Sequence, residues 1–108
     1  MVKKSTVVND QPMKELFCKV HGNVQGVFFR AFAQKEARTL GVTGYAKNVA
    51  DDMGGGAVEI VAQGDEAKLR AFLAKISTGP EEAEVESVDT NFGPIGPDDE
   101  KFSDFAIL

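Results

Sequence analysis

The sequence predicts an α+β domain in which two helices cover one face of an antiparallel sheet. Three observations support this fold class. Strand-like segments alternate with two helical stripes, glycine- and proline-rich segments separate them, and the length suits one small domain. The 108 residues are 43% hydrophobic and 27% charged, which excludes disordered and collagen-like chains. We therefore expect a single folded unit.

The first half of the chain is predicted to form a strand, a helix and a second strand. Residues 15–21 alternate between apolar and polar side chains, the period of a strand. Apolar residues then recur at helical spacing up to a glycine that can end a helix: Phe29, Ala33, Ala37, Leu40 and Gly41. Residues 42–49 are predicted as the second strand.

The second half is predicted to form two strands around a second helix, and then a short fifth strand. Residues 57–63 form the third strand after a turn over 51–56. Asp65 can cap the second helix, whose apolar stripe is Leu69, Phe72, Leu73 and Ile76. Gly79 and Pro80 end that helix. The fourth strand covers 85–92 and the fifth covers 103–108, with a glycine- and proline-rich loop between them.

The predicted order is β-α-β-β-α-β with an added edge strand, which is the split β-α-β or ferredoxin-like arrangement. Residues 1–13 show no periodicity, so we expect them to form a flexible leader and 14–108 to form the domain. This fold carries many unrelated functions, so the function has to be inferred from particular residues.

The charge distribution argues against general nucleic-acid binding. The net charge is −5, with a sequence pI near 4.8. Residues 81–108 hold one basic and nine acidic groups, whereas 14–48 hold six basic and two acidic groups. The acidity therefore belongs to the C-terminal part, and a small anion can still be attracted to the region around 14–48.

Cysteine content and hydropathy indicate the compartment. Cys18 is the single cysteine, so an intrachain disulfide and a cysteine-based zinc site are excluded. No apolar run is longer than the four residues 105–108, which is far too short to cross a membrane, and no export signal is visible. We expect a cytoplasmic monomer with no membrane partner.

The loop between the first strand and the first helix carries the chemistry. Gly22 and Gly26 allow sharp turns, and the helix that follows presents unpaired N–H groups at its positive end. Such a loop can hold a phosphate, and Arg30 in the first helical turn could bind the same anion. The glycine spacing by itself favours an ordinary turn beside a surface arginine.

The full string over 22–30 resembles the signature of acylphosphatases. The matching residues are Gly22, Val24, Gln25, Gly26, Val27, Phe29 and Arg30. The segment 44–48, Gly-Tyr-Ala-Lys-Asn, resembles the second signature of that family, Gly-aromatic-x-x-Asn. The resemblance extends over residues 14–108.

The resemblance implies hydrolysis of the carboxyl–phosphate bond of acyl phosphates to a carboxylate and inorganic phosphate. No metal, cofactor or phosphoenzyme is implied. Arg30 would bind the phosphoryl oxygens and Asn48 would orient the attacking water. The phosphate-binding loop would be Gly22, Asn23, Val24, Gln25, Gly26, Val27 and Phe28.

Three departures from the commoner family pattern are visible. The turn over 51–56 is longer than usual, and its carboxylates Asp51 and Asp52 would weaken anion binding by like-charge repulsion. Tyr45 replaces a common tryptophan and Ala46 a larger aliphatic residue, which we interpret as packing variants.

Two other functions are compatible with the fold. A binding module could keep the loop without turnover, although the presence of both Arg30 and Asn48 favours an enzyme. An RNA-binding domain would need aromatic side chains on the central strands and a basic sheet surface, which the net charge opposes.

Other reactive residue types are interpreted as structural. His21 lacks a recognisable carboxylate partner in the sequence, and Cys18 lies on the apolar face of its strand. Gln25 is predicted to hold the loop through side-chain bonds to the backbone, and direct contact with a ligand is the alternative role. The acidic residues 98–100 are too few for a calcium site.

Overall fold

The computed structural model describes residues 13–51 and 55–108. In chain order the elements are β1 (Lys14–Asn23), α1 (Phe29–Leu40), β2 (Thr43–Ala50), β3 (Gly56–Gly64), α2 (Glu66–Thr78), β4 (Glu84–Pro94) and β5 (Phe105–Ile107). The predicted order of elements is confirmed. The predicted leader, 1–13, lies outside the described residues except for Met13, and so do positions 52–54 of the predicted turn.

The strands form one sheet in the order β4-β1-β3-β2-β5. The first four strands are antiparallel as predicted, but β5 runs parallel to β2. Strand β4 ends at the end of the sheet where β2 begins. After β4 the chain crosses that end of the sheet. It then forms β5 at the opposite edge, beside β2 and parallel to it. Gln63, buried near the crossing, accepts a hydrogen bond from the Phe102 N–H and donates one to the Glu100 carbonyl.

The core lies between one face of the sheet and the two helices. Leu16, Cys18 and Val20 of β1 are fully buried on this face, as their alternation predicts. The buried helical residues are Phe29, Ala33 and Ala37 of α1 and Leu69, Phe72 and Ile76 of α2. Burial raises the pKa of the Cys18 thiol to about 12, so this side chain acts as a small apolar residue.

Each helix has a boundary residue that the sequence predicts, at the start of α2 and at the end of α1. The Asp65 carboxylate accepts a hydrogen bond of 2.9 Å from the Lys68 N–H and so caps α2. Gly41 ends α1 with a φ of 76°, a left-handed conformation that glycine adopts at little cost. Neither helix of the described chain is both long and apolar enough to cross a membrane.

Candidate active site

The site begins where β1 ends, two residues later than predicted. Gly22 and Asn23 still pair with β4, after a shift in register between His21 and Gly22. Gly22 has a φ of 131°, and a Cβ at this position would collide with the main-chain oxygen of Glu84. Glycine is therefore required for β4 to approach so closely. The free loop that leads to α1 consists of residues 24–28.

Helix α1 starts without a capping side chain. Its N-cap residue, Phe28, has φ 58° and ψ 28° and makes no side-chain capping hydrogen bond. The carbonyl of Phe28 accepts the first helical bond, from the Phe32 N–H at 2.9 Å. The first N–H groups of α1, which have no partner within the helix, therefore form a donor surface at its positive end.

Gln25 connects this loop to the sheet. Its side-chain amide donates hydrogen bonds of 3.0 Å to the main-chain oxygens of both Val49 and Ala57. These two residues are paired across β2 and β3. One side chain therefore holds the loop against the two strands, as predicted for Gln25.

The register of β2 places Asn48 at the site. It pairs with Val58, which pairs in turn with Val20, and both valines face the helices. Paired residues in antiparallel strands point to the same face, so Asn48 also points to the helical side. It lies near the end of β2, and its side chain is exposed.

Arg30 is oriented by the end of β5. Its Nη1 donates a hydrogen bond of 2.8 Å to the main-chain oxygen of Leu108. The Leu108 N–H donates to the Ala46 oxygen at 2.9 Å, which continues the pairing of β5 with β2. Ile107 is thereby brought beside Arg30 and Asn48.

A cavity of about 220 Å³ lies between the loop, α1 and the two neighbouring strands. Its lining residues are Val24, Gly26, Phe28, Phe29, Arg30, Ala31, Asn48 and Ile107. The structure thus brings together both predicted catalytic residues and three of the seven predicted loop residues.

The other predicted loop residues lie outside this cavity. Gly22 and Asn23 belong to β1, and Val27 packs against the core. Gln25 lines a second, more open hollow, which also includes Asn48. Sequence reasoning did not identify Ile107 or the Leu108 oxygen, because no local pattern shows that β5 ends beside the loop.

His21 has two carboxylate partners, so the expectation that it lacks one is wrong. Its Nδ1 lies 2.9 Å from Asp51 Oδ2 and its Nε2 lies 2.8 Å from Asp89 Oδ2. The hydrogen bond to Asp51 and, to a smaller extent, the one to Asp89 raise the pKa of His21 above its usual value of 6.5. The partners are 30 and 68 residues away in the chain, which explains why local sequence reasoning missed them. His21 does not line the cavity.

Within residues 13–51 and 55–108, no group of three or more histidine, cysteine or acidic side chains is arranged to hold a metal ion. The polar groups around the cavity are instead one guanidinium, one carboxamide and main-chain N–H groups. This combination suits an oxyanion such as phosphate.

Comparison with known proteins agrees with this chemistry. The family model Acylphosphatase matches residues 16–107. The acylphosphatase of Thermus thermophilus is 47% identical over 81 residues, which cover 75% of this chain and 88% of that protein. The structure of an acylphosphatase from Coxiella burnetii matches with a TM-score of 0.76 and 31% identity over the full length of both chains. The crystal structure of acylphosphatase from Bacillus subtilis matches with a TM-score of 0.74 and 30% sequence identity. This match covers 88% of this chain and 98% of that chain. The chain therefore belongs to the acylphosphatase family, and its activity is the hydrolysis of acyl phosphates.

Proposed function

We propose that Arg30 and the main-chain N–H groups of the 24–28 loop bind the phosphoryl group, and that Asn48 orients the attacking water. The observation that carries this proposal is that Arg30 and Asn48, from α1 and β2, line one cavity at the N-terminus of α1. The positive end of the helix and the guanidinium both favour an anion at this point.

The reaction proceeds by displacement at phosphorus. The water oxygen forms a bond to phosphorus while the bond from phosphorus to the acyl oxygen breaks, and the carboxylate leaves with the bonding electrons. A carboxylate is a weak base and leaves without being protonated, so no general acid is needed. Water gives its proton to an oxygen of the substrate phosphate, since the Asn48 carboxamide is too weakly basic to accept it. The products are a carboxylate and inorganic phosphate.

The protein accelerates the reaction by positioning the attacking water and by placing positive charge beside the phosphoryl oxygens. Phosphoryl transfer is accelerated mainly by donors matched to the charge on the equatorial oxygens and by alignment of the nucleophile. Arg30 supplies planar, paired donors, and the amides of the loop supply further ones. No step requires a metal ion or an organic cofactor, so the proposed reaction uses neither.

The open face of the sheet argues against the RNA-binding alternative. One row of paired residues crosses it from β2 to β4: Lys47, Glu59, Lys19 and Asp89. The charges alternate in sign along this row, whereas an RNA-binding sheet needs a basic surface. We therefore assign no nucleic-acid partner. We propose that the protein acts on small acyl phosphates as a cytoplasmic monomer. One chain supplies every group of the proposed site, so the reaction needs no second subunit.

The test is to incubate the purified chain with acetyl phosphate in the presence of EDTA. Hydrolysis is measured as the release of inorganic phosphate. We expect turnover that EDTA does not reduce. Phosphate binding without turnover would support a binding module instead. Loss of turnover in EDTA with recovery on adding Mg²⁺ or Zn²⁺ would contradict the metal-free mechanism.

A further inference from the structure

We propose that His21 is a positioning residue for the hydrolysis. Through its hydrogen bond to Asp51 it holds the end of β2 against the rest of the sheet, and it thereby keeps Asn48 directed at the attacking water. This inference rests on the proposed function, because it takes Asn48 to orient that water. The imidazole does not line the cavity, so it acts through β2 rather than by touching the substrate.

The part of β2 that carries Asn48 lies at an edge of the sheet. Strand β3 pairs with the whole of β2, from Thr43 to Ala50. On the other side, β5 pairs with residues 44–46, and no strand of the described chain covers residues 47–50 there. A segment with a neighbouring strand on one side is displaced more easily than a strand inside the sheet. Contacts at the end of β2 therefore influence how well Asn48 keeps its direction.

The turn after β2 adds little stiffness of its own. Its sequence includes Gly54, Gly55 and Gly56, and glycine restricts the backbone least of all residues. The Asp51 N–H donates a hydrogen bond of 2.9 Å to the Gly55 oxygen, which closes the turn on itself. The side chain of Asp51 instead reaches beyond β3 to β1. This side chain therefore connects the end of β2 to a strand inside the sheet.

The contact between His21 and Asp51 crosses β3. His21 pairs with Ala57 of β3, which pairs with Val49 of β2, so these three residues form one row on the open face. Asp51 follows two residues after Val49, and its Oδ2 lies 2.9 Å from His21 Nδ1. Strands β1 and β2 are roughly 10 Å apart, which is two strand spacings. Ala57 faces the open side and is nevertheless fully buried, as expected for a small residue covered by an imidazole and a carboxylate.

The two carboxylate partners of His21 differ in what they hold. Carboxylate oxygens only accept, so both ring nitrogens donate when the imidazole is charged. The Asp51 side chain is 14% exposed, whereas that of Asp89 is 71% exposed. Water competes with the bond to Asp89, and this residue lies on β4, at the edge of the sheet opposite β5. The shielded bond to Asp51 is thus the one that restrains β2.

The first test measures acetyl phosphate hydrolysis and phosphate affinity in Asp51→Ala, with Asp89→Ala as the matched control. Both substitutions remove one carboxylate from the same imidazole, but only Asp51 follows β2. We expect kcat to fall roughly tenfold in Asp51→Ala, because Asn48 is still present but less well directed. Phosphate affinity should not weaken, since Arg30 and the loop amides are unchanged. Asp89→Ala should keep kcat within about twofold.

The second test compares two substitutions of His21 itself. The side-chain amide nitrogen of asparagine takes the place of Nδ1, so His21→Asn can still donate to Asp51. That of glutamine takes the place of Nε2, so His21→Gln can donate to Asp89 but not to Asp51. We expect His21→Asn to keep kcat within about twofold and His21→Gln to lose roughly tenfold, as for Asp51→Ala. A merely structural histidine would not distinguish the two amides in this way.

The third test asks whether the contact acts through Asn48. In the Asn48→Ala background, Asp51→Ala should lower kcat no further, because the group that it positions is absent. Circular dichroism checks the fold of each variant, and His21→Gln tests the contact independently if Asp51→Ala does not fold.

Four outcomes would contradict parts of this scheme. Unchanged kcat in the folded variants Asp51→Ala and His21→Gln would overturn the role of His21 alone. An equal loss in Asp89→Ala would do the same, because it would not depend on the contact with β2. A full further loss in the Asn48→Ala background would exclude action through Asn48. No turnover by the unaltered chain would overturn the proposed function and the role of His21 with it.

Discussion

The guanidinium of Arg30 is hydrogen-bonded to the main-chain oxygen of Leu108, with 2.8 Å between Nη1 and that oxygen. The two residues are 78 positions apart, so the contact exists only in the folded chain. It uses one of five N–H donors of the guanidinium and restricts the orientation of its plane. The other donors are thus directed before an anion arrives, which lowers the entropic cost of binding.

Replacement of Arg30 is expected to remove both hydrolysis and inhibition by phosphate. Arg30→Ala removes the charged partner of the anion, and Arg30→Lys keeps the charge but loses the planar pair of donors. We expect each to lower kcat/KM by at least on the order of 10²-fold, from the usual effect of removing one transition-state donor. Arg38→Ala is the matched control, since Arg38 lies on the same helix and pairs with Asp104. Near-normal turnover in a folded Arg30→Ala protein would exclude Arg30 from the site.

Asn48→Ala is expected to reduce turnover while phosphate still binds. Asn48 is proposed to act on water, whereas Arg30 and the loop amides contact the anion, so the loss should fall mainly on kcat. A decrease on the order of 10²-fold or more is expected from the misplacement of a reactant. Steady-state kinetics and phosphate titration by calorimetry measure the two effects separately. An equal loss of phosphate affinity would instead place Asn48 among the binding groups.

Gln25→Met tests whether the loop must be attached to the sheet. Methionine is similar in length but cannot donate to the oxygens of Val49 and Ala57. With about 1 kcal/mol for each hydrogen bond, we expect a loss of about 2 kcal/mol in the free energy of unfolding, together with weaker phosphate binding. Urea denaturation and phosphate titration measure these changes. Full phosphate affinity in the variant would show that these bonds do not organise the binding loop.

His21 is expected to titrate above pH 6.5, because hydrogen bonds to Asp51 and Asp89 raise its pKa. It is the single histidine of the chain, so its ring resonances can be followed by NMR without assignment. Asp51→Asn should lower the pKa of His21 more than Asp89→Asn does, since the Asp51 bond has the larger effect. Equal or absent effects of the two substitutions would contradict this ranking.

The same contacts predict how stability changes with pH. A histidine whose pKa is raised on folding stabilises the protein fully below its unfolded pKa, near 6.5. This stabilisation is lost as pH rises through the higher pKa of the folded state. The difference in unfolding free energy between the unaltered chain and His21→Gln should therefore be larger at pH 5.5 than at pH 8.5, as measured with urea. A difference independent of pH would show that the charged form of His21 is not stabilised by folding.

Local sequence patterns were sufficient to predict the order of helices and strands and the residues that enter the core. Burial along one element follows its own period, which is why Leu16, Cys18 and Val20 were correctly assigned to one face of β1. The Asp65 cap was predictable for the same reason, since its acceptor and donor lie three residues apart. The family resemblance identified Arg30 and Asn48 as candidates, and the structure places both at one cavity.

Tertiary structure alone decided the features that depend on distant residues. The direction of β5 follows from where the chain crosses the sheet, and that crossing brings Ile107 and the Leu108 oxygen to Arg30. Strand register likewise places His21 between Asp51 and Asp89. No period in the sequence encodes these contacts. The apolar and polar pattern of a strand specifies which face is buried, whereas its neighbour and its register result from the packing of the whole sheet.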